Sequence, residues 1–406
     1  MMLKPLLTIF LTAIFLLPRP AFAELRAEEL ELTCAIAAMA AYSSETSQML
    51  REELMARGWD MKPFEAYSDE ADAKALLLRR EDIHGRAINI LSICGTEDQK
   101  DVEIDARFKL TAFDDGVGLV HQGFNDYTNV LINSEEFKKI VDVLQNSYEM
   151  LYITGHSLGG AVAILTAAHL AELDIGEQIA VMTFGAPAVG DQAFADRFDG
   201  KIALTRITAS GDPIKKALRK LGYVNFGNSV KYIPAKSVEH FRHKMAVYLD
   251  CALRHYCEAN FDEEFNSVGG RIYVAPLRIM QRSFERADEK YVNWLVRDTL
   301  RTRGADMVFG SEPPVMIDYK TYNDDFAEID KEYIDAARAA GCDRILLESI
   351  QSKRVREARR DIDRIIIEKL VCDLKGFPIE MQTSSMNTNE VTALEAVMLA
   401  QWKSSL

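Results

Sequence analysis

The chain has 406 residues, of which 48% are hydrophobic, and this is enough apolar material for one large core or two smaller ones. Its 62 acidic residues outnumber its 48 basic residues, and the formal net charge is −14. This acidic excess excludes nucleic acid as the expected partner and works against adsorption to anionic membranes.

The first predicted element is a secretory signal peptide over residues 1–23. Lys4 gives a positive start, Leu6 to Leu17 form an apolar stretch, and Ala21-Phe22-Ala23 has the small residues of a cleavage site. An uncleaved membrane anchor is the alternative, but the apolar stretch is short for a span. The sequence therefore predicts an exported protein, either periplasmic or secreted.

Helices and strands alternate after this segment. The predicted elements are helices over Cys34 to Tyr42 and Met49 to Met55, a strand over Ala87 to Ile93, a helix over Asn133 to Tyr148, and strands over Met150 to Thr154, Ile179 to Phe184 and Ala203 to Thr208. The apolar stripe of the helix over 133–148 indicates that it covers one face of a sheet.

Gly155-His156-Ser157-Leu158-Gly159 lies between the apolar runs Met150 to Thr154 and Ala161 to Leu165. The pattern predicts a strand that turns sharply into a buried helix, and the glycines permit the close approach that such a turn needs. An ordinary capping serine is the alternative interpretation. The favoured hypothesis is that Ser157 is an exposed nucleophile.

A nucleophilic serine requires a base and an acid, and in strand-turn-helix hydrolases the chain order is serine, acid, histidine. Asp212 is the candidate acid, since Gly211 and Pro213 end the preceding strand and direct the carboxylate outward. Asp191 and Asp196 are weaker alternatives because they follow the strand before.

Three histidines follow this acid and are candidates for the base. They are His240, His243 and His255. The remaining four precede Ser157 or lie in the helix directly after it, as His84, His121, His156 and His169.

The ordered motifs resemble the class 3 lipase family, the fungal-type triacylglycerol lipases and their bacterial relatives, over about residues 30–255. The matching motifs are Cys94-Gly95-Thr96, Val120 to Phe124, Thr154 to Ala161, Thr183 to Asp191, Phe194-Ala195, Gly222 to Gly227 and His243 to Leu249. The resemblance implies an α/β-hydrolase fold with a mixed, mostly parallel sheet over residues 24–258.

The resemblance also implies site residues. His243 precedes Tyr248 and Leu249 as the family's catalytic histidine does, which leaves His240 as the second choice. Thr96 matches the family's oxyanion corner, and the backbone N–H of Leu158 is the second expected donor. No metal and no cofactor are expected.

Two positions depart from the family pattern. Ile93-Cys94 replaces a Phe-Arg pair, and Ala188 replaces an arginine. Ion pairs that commonly support the oxyanion corner are therefore absent, which places the positioning of Thr96 in question.

The expected activity is hydrolysis of carboxylic ester bonds, with lipids or other esters as substrates and transient contact between the protein and a lipid surface. The stretch Glu97 to Asp105, where the family has its amphipathic lid, is strongly acidic, which favours an esterase or lipid-ester hydrolase over a fat-droplet lipase. Phospholipase A activity is the nearest alternative. A peptidase or amidase with the same triad, and a catalytically silent scaffold, are less favoured.

No recognised motif follows residue 258. Helices are predicted over Val355 to Leu370 and Asn389 to Trp402, so residues 259–406 are expected to form a mainly helical region. Its role and any protein partner are open.

Overall fold

A computed structural model describes residues 25–404, except 69–70, 82–84, 96–108, 115, 174, 215–217, 219–220, 263–270, 304–306, 319–330 and 358–359. The predicted signal peptide and the acidic stretch Glu97 to Asp105 lie outside the described residues. The chain divides into two units, Met1–Ala252 and Leu253–Leu406. The division falls within a helix, a few residues before the predicted boundary at 258.

The first unit is built from a central sheet and the helices around it. Its helices are α1 (Ala27–Ala40), α2 (Glu45–Ala56), α3 (Gln122–Ile132), α4 (Glu135–Asn146), α5 (Leu158–Glu172) and α6 (Gln192–Phe198), followed by α7 (Met245–Asn260), which continues into the second unit. Its strands are β1 (Asp60–Tyr67), β2 (Asp72–Glu81), β3 (Ala87–Ile93), β4 (Leu110–Ala112), β5 (Leu119–His121), β6 (Met150–His156), β7 (Ile179–Phe184), β8 (Ala203–Ala209) and β9 (Asn228–Tyr232).

The main sheet has the order β1-β2-β3-β6-β7-β8-β9. The pairs β1–β2 and β2–β3 are antiparallel, and every pair from β3 to β9 is parallel. The carboxyl ends of the five parallel strands therefore lie along one edge, where sites of such sheets are found. The predicted α/β-hydrolase fold is confirmed.

Helix α5 is buried on nearly all sides, which explains its run of small and apolar residues. Helix α4 begins at Glu135, two residues after the predicted start at Asn133, and Ser134 caps it by accepting a hydrogen bond from the N–H of Phe137 at 3.2 Å. Its apolar stripe packs inward through Phe137, Ile140 and Leu144. Tyr148, the last residue of the predicted helix, is 86% exposed, because the helix ends at Asn146.

The second unit is not mainly helical, and this prediction was wrong. It contains α8 (Glu289–Arg303), α9 (Lys331–Ala339) and α10 (Ala393–Lys403), together with β10 (Ile272–Val274), β11 (Arg278–Met280), β12 (Met307–Phe309), β13 (Val315–Ile317), β14 (Arg344–Glu357), β15 (Arg360–Asp373) and β16 (Pro378–Asn387). These described strands form one mixed sheet in the order β12-β10-β14-β11-β13, with β15 pairing β14 and β16.

The expected helix over Val355 to Leu370 is a strand hairpin instead, with β14 and β15 in antiparallel register. The β-branched run Ile365-Ile366-Ile367 favours a strand. The mixed charges that indicated a helix face are partly cross-strand neighbours: Arg354 lies opposite Asp363, with an Nε to Oδ1 distance of 3.3 Å. The helix predicted over Asn389 to Trp402 is confirmed as α10. A capping box formed by Thr392 and Glu395 stabilises its N-terminus.

All six cysteines are buried, and none is joined to another by a disulfide bond. Among the described residues, no helix has both the length and the apolar character needed to cross a membrane.

Candidate active site

Ser157 stands at the turn between β6 and α5. Its backbone has φ 56° and ψ −121°, a conformation that L residues rarely adopt. A Cβ on Gly159 would lie 2.2 Å from the carbonyl oxygen of Ile93, and one on Gly155 would lie 2.5 Å from Gly159. Only glycines permit this approach of helix to strand. Although Ser157 precedes α5, its side chain forms no capping hydrogen bond, so it is not the capping serine of the alternative interpretation.

The structure brings Ser157, His243 and Asp212 into one hydrogen-bonded row. The Ser157 Oγ lies 2.8 Å from His243 Nε2, and His243 Nδ1 lies 2.8 Å from Asp212 Oδ2. Since an ionised carboxylate can only accept, Nδ1 carries the proton and Nε2 is left to accept from the serine hydroxyl. The row therefore has the polarity of a nucleophile, its base and an orienting acid.

Asp212 is held from three sides. Besides His243, the Tyr248 hydroxyl donates to Oδ2, and the N–H of Ile214 donates to Oδ1 at 2.8 Å. Burial alone raises the pKa of this carboxyl, but its hydrogen bond to His243, the charge of His243 and the hydrogen bond from Tyr248 together bring the pKa below the ordinary value. Asp212 is consequently ionised at neutral pH.

His243 lies between a short 3₁₀ helix, Lys236–Phe241, and the start of α7. Arg242, directly before it, has φ 45°, which marks a tight turn. The N–H of Ala209, at the end of β8, donates to the Tyr248 oxygen at 3.2 Å and ties α7 to the strand that precedes Asp212. Tyr248 thus bonds Asp212 directly and also links β8 to the helix that follows His243.

The alternative candidates lie elsewhere. Asp191 caps α6 by accepting from the N–H of Phe194 at 2.9 Å, and Asp196 accepts from Gln192. His169 contacts Asp114, and His255 lies within α7. The side chain of His240 lies outside the described residues.

The expected oxyanion donors are described only in part. Leu158 is the first residue of α5, where backbone N–H groups have no partner within the helix. Thr96 lies outside the described residues. At the two departures from the family pattern, Cys94 is buried, and Ala188 packs with Leu218 and Tyr223.

His156 is a site residue that sequence reasoning passed over, because it precedes the serine. It is 3% exposed, its Nδ1 lies 2.7 Å from the Tyr42 hydroxyl, and its Nε2 lies 2.7 Å from the carbonyl oxygen of His243. Burial, followed by the nearby His243 ring, lowers the pKa of His156 to about 3, so the ring is neutral at pH 7. A carbonyl can only accept; therefore Nε2 donates to His243, and Nδ1 accepts from Tyr42.

Tyr42 reaches the site from the residues just after α1, and no pattern in the sequence marked it. A Cβ on Gly95 would lie 2.4 Å from its hydroxyl oxygen and 2.6 Å from the His156 carbonyl. Tyr42 therefore contacts the corner that leads to Thr96, and through His156 it also supports the backbone of His243.

Replacing Tyr42 with Phe is expected to lower kcat about tenfold or more while leaving KM nearly unchanged. The reason is that Nδ1 of His156 is buried and would lose the hydroxyl that donates a hydrogen bond to it. Steady-state kinetics on a soluble ester measure both constants. Tyr67→Phe, at a 65% exposed tyrosine, is the matched control. A Tyr42→Phe enzyme with wild-type kcat would show that this contact does not position the triad.

No group of His, Cys, Asp and Glu side chains within the described parts of the chain is arranged to hold a metal ion.

Comparison with known proteins agrees with the motifs. Residues 90–220 match the family Lipase (class 3). Phospholipase A1-II 4 of Oryza sativa subsp. japonica is 31% identical over 100 residues, which are 23% of this chain and 25% of that protein. Phospholipase A1 EG1, chloroplastic/mitochondrial, of Oryza sativa subsp. indica is 40% identical over 87 residues, 20% of each protein.

The solved triacylglyceride lipase of Rhizomucor miehei is 20% identical, with a TM-score of 0.42 over 52% of this chain and 82% of that one. The chain spans about a quarter of the length of the curated relatives that it matches first. The resemblance to class 3 lipases is thereby confirmed over residues 90–220, the segment that contains both Ser157 and Asp212.

Proposed function

We propose that the protein is an exported serine hydrolase that cleaves carboxylic ester bonds, with lipid esters as its substrates. The observation that carries the proposal is the hydrogen-bonded row from Asp212 through His243 to Ser157 at the turn between β6 and α5. The match of residues 90–220 to class 3 lipases supports ester chemistry at this row.

The mechanism follows from the geometry. His243 Nε2 takes the hydroxyl proton as Ser157 Oγ attacks the ester carbonyl, and the resulting tetrahedral intermediate collapses to an acyl-enzyme. The same nitrogen then returns the proton to the leaving alcohol. Water then attacks the acyl-enzyme and gives a proton to His243 Nε2, which passes it to Ser157 Oγ as the carboxylic acid leaves. Asp212 remains ionised throughout and stabilises the imidazolium that forms twice in the cycle.

Negative charge develops on the carbonyl oxygen in each tetrahedral intermediate. We assign its stabilisation to the backbone N–H of Leu158 and to Thr96. The N-terminal end of α5 adds the favourable field of a buried helix dipole. The loss of one such donor lowers kcat by about 10²- to 10³-fold in comparable sites.

Phospholipids are the second candidate substrates, because two of the similar proteins are named phospholipase A1. Export through the signal peptide of residues 1–23 would place the enzyme in the periplasm or outside the cell. There, only transient contact with lipid surfaces is expected, because loss of Lys4 and Arg19 with residues 1–23 changes the net charge from −14 to −16.

A substrate panel tests the proposed function. Purified protein is expected to hydrolyse p-nitrophenyl butyrate and phosphatidylcholine labelled in either acyl chain, and Ser157→Ala to hydrolyse neither. Release of the sn-1 label ahead of the sn-2 label would select phospholipase A1 over general ester hydrolysis. Cleavage of peptide amides faster than esters would contradict the proposal, as would equal ester turnover by the wild type and Ser157→Ala.

A further inference from the structure

A pocket lies near the start of β6, at the opposite end of this strand from Ser157. It is enclosed by β1, β2, β3, β6 and α4, and its volume is about 210 Å³. Leu151, near the start of β6, lines it. Six residues of extended chain separate Leu151 from Ser157, which corresponds to about 20 Å. The pocket is therefore distinct from the catalytic row.

The interior of the pocket is apolar. Its walls are the side chains of Phe64, Leu77, Ile140, Val143, Leu144 and Leu151. Val143 is 44% exposed at the surface of α4, so the apolar interior opens to solvent there. An open apolar pocket within a described surface that is otherwise rich in charge is a common sign of ligand binding.

Cationic groups surround this opening. Lys62 on β1 and Lys139 on α4 both line the pocket and are exposed, and neither forms an ion pair with any residue that the structure describes. Arg79 also lines the pocket, but both of its Nη atoms donate hydrogen bonds to the Glu149 carboxylate. The distance from Nη2 to Oε1 is 3.0 Å. Glu136 is the acidic side chain in the lining. Two lysine ammonium groups are thus available to a ligand.

We propose that this pocket binds the carboxylate form of a medium-chain fatty acid. The acyl chain would occupy the apolar interior, where its burial contributes roughly 0.8 kcal/mol per methylene group. The carboxylate would accept charge-assisted hydrogen bonds from Lys62 and Lys139. The volume suits a single acyl chain and is too small for a two-chain lipid.

The choice of a fatty carboxylate rests on the proposed function, because this is the acid that ester hydrolysis releases. Binding of the product some distance from the triad gives the enzyme a site that senses accumulated fatty acid. It also gives a function to Lys62 and Lys139, the two exposed lysines that line the apolar opening.

Calorimetric titration of the full-length Ser157→Ala protein with decanoate, below its micelle concentration, tests the site. Lys62→Glu combined with Lys139→Glu is expected to weaken decanoate binding at least tenfold and to remove one binding equivalent. Lys331→Glu combined with Lys353→Glu is the matched control, since both are exposed lysines of the second unit. Decanol, which has the same chain without the charge, is expected to bind weakly and to respond equally little to either pair.

Val143→Phe provides a second variant, because the larger ring would fill the opening without disturbing a buried residue. Decanoate binding is expected to fall by a similar factor, with an unchanged melting temperature. Equal affinity in the lysine pair and its control, or full affinity in Val143→Phe, would overturn the proposal. Lysine-dependent binding of decanoate, together with a wild type that hydrolyses no ester, would retain the pocket and reject the proposed function. Ester hydrolysis by the wild type without lysine-dependent binding would retain the proposed function and reject the pocket.

Discussion

Replacing either Ser157 or His243 with alanine is expected to abolish ester hydrolysis, with a loss in kcat on the order of 10⁵- to 10⁶-fold. Ser157 Oγ and His243 Nε2, between which the proton passes, lie 2.8 Å apart, so neither residue can act without the other. The double variant is therefore expected to be no slower than either single variant, as residues that act as one unit are strongly non-additive. Initial rates on p-nitrophenyl butyrate measure all three.

A fluorophosphonate probe supplies the independent check, because it reacts with an activated serine and is expected to label Ser157 alone. Circular dichroism establishes that each variant is folded. If His240→Ala inactivates the enzyme while His243→Ala does not, the assignment of the base is wrong.

Asp212→Asn is expected to lower kcat about 10⁴-fold with the fold intact. The carboxylate oxygen Oδ2 accepts from both His243 and Tyr248, whereas an amide nitrogen in its place cannot accept from either. If the amide oxygen faces them instead, its nitrogen faces the N–H of Ile214, which then has no acceptor. Either orientation weakens control of the imidazole tautomer.

Asp191→Asn and Asp196→Asn are matched controls, since they make the same chemical change in carboxylates that contact α6 rather than His243. Both are expected to retain turnover within a few-fold of the wild type. If the activity of Asp212→Asn is within tenfold of the wild type, Asp212 is not the carboxylate that orients His243.

Much of the first unit could be predicted because its signals are local. The apolar runs on both sides of Gly155 to Gly159 define β6 and α5, and Gly211 and Pro213 mark the end of β8. Tyr42 was not predictable in this way. Its hydroxyl meets His156 across 114 positions of sequence, and only the packing of α1 on the sheet creates that contact.

The second unit was misread for a different reason. Arg354, Arg356, Asp361 and Asp363 have spacings that are compatible with helix-face pairs and equally with a hairpin. The choice between them depends on pairing with β16 and on burial of Ile365 and Ile367, and neither is visible in a window of local sequence.

The neutral imidazole of His156 makes the stability of the fold depend on pH. Its pKa is about 3 in the folded chain and close to 6.5 when unfolded, so between these values the unfolded chain binds the additional proton. Each pH unit of acidification below about 6.5 therefore removes up to about 1.4 kcal/mol of stability, until the pH reaches about 3. Burial of the ring that bonds the His243 carbonyl thus makes the fold acid-labile and favours near-neutral or alkaline surroundings.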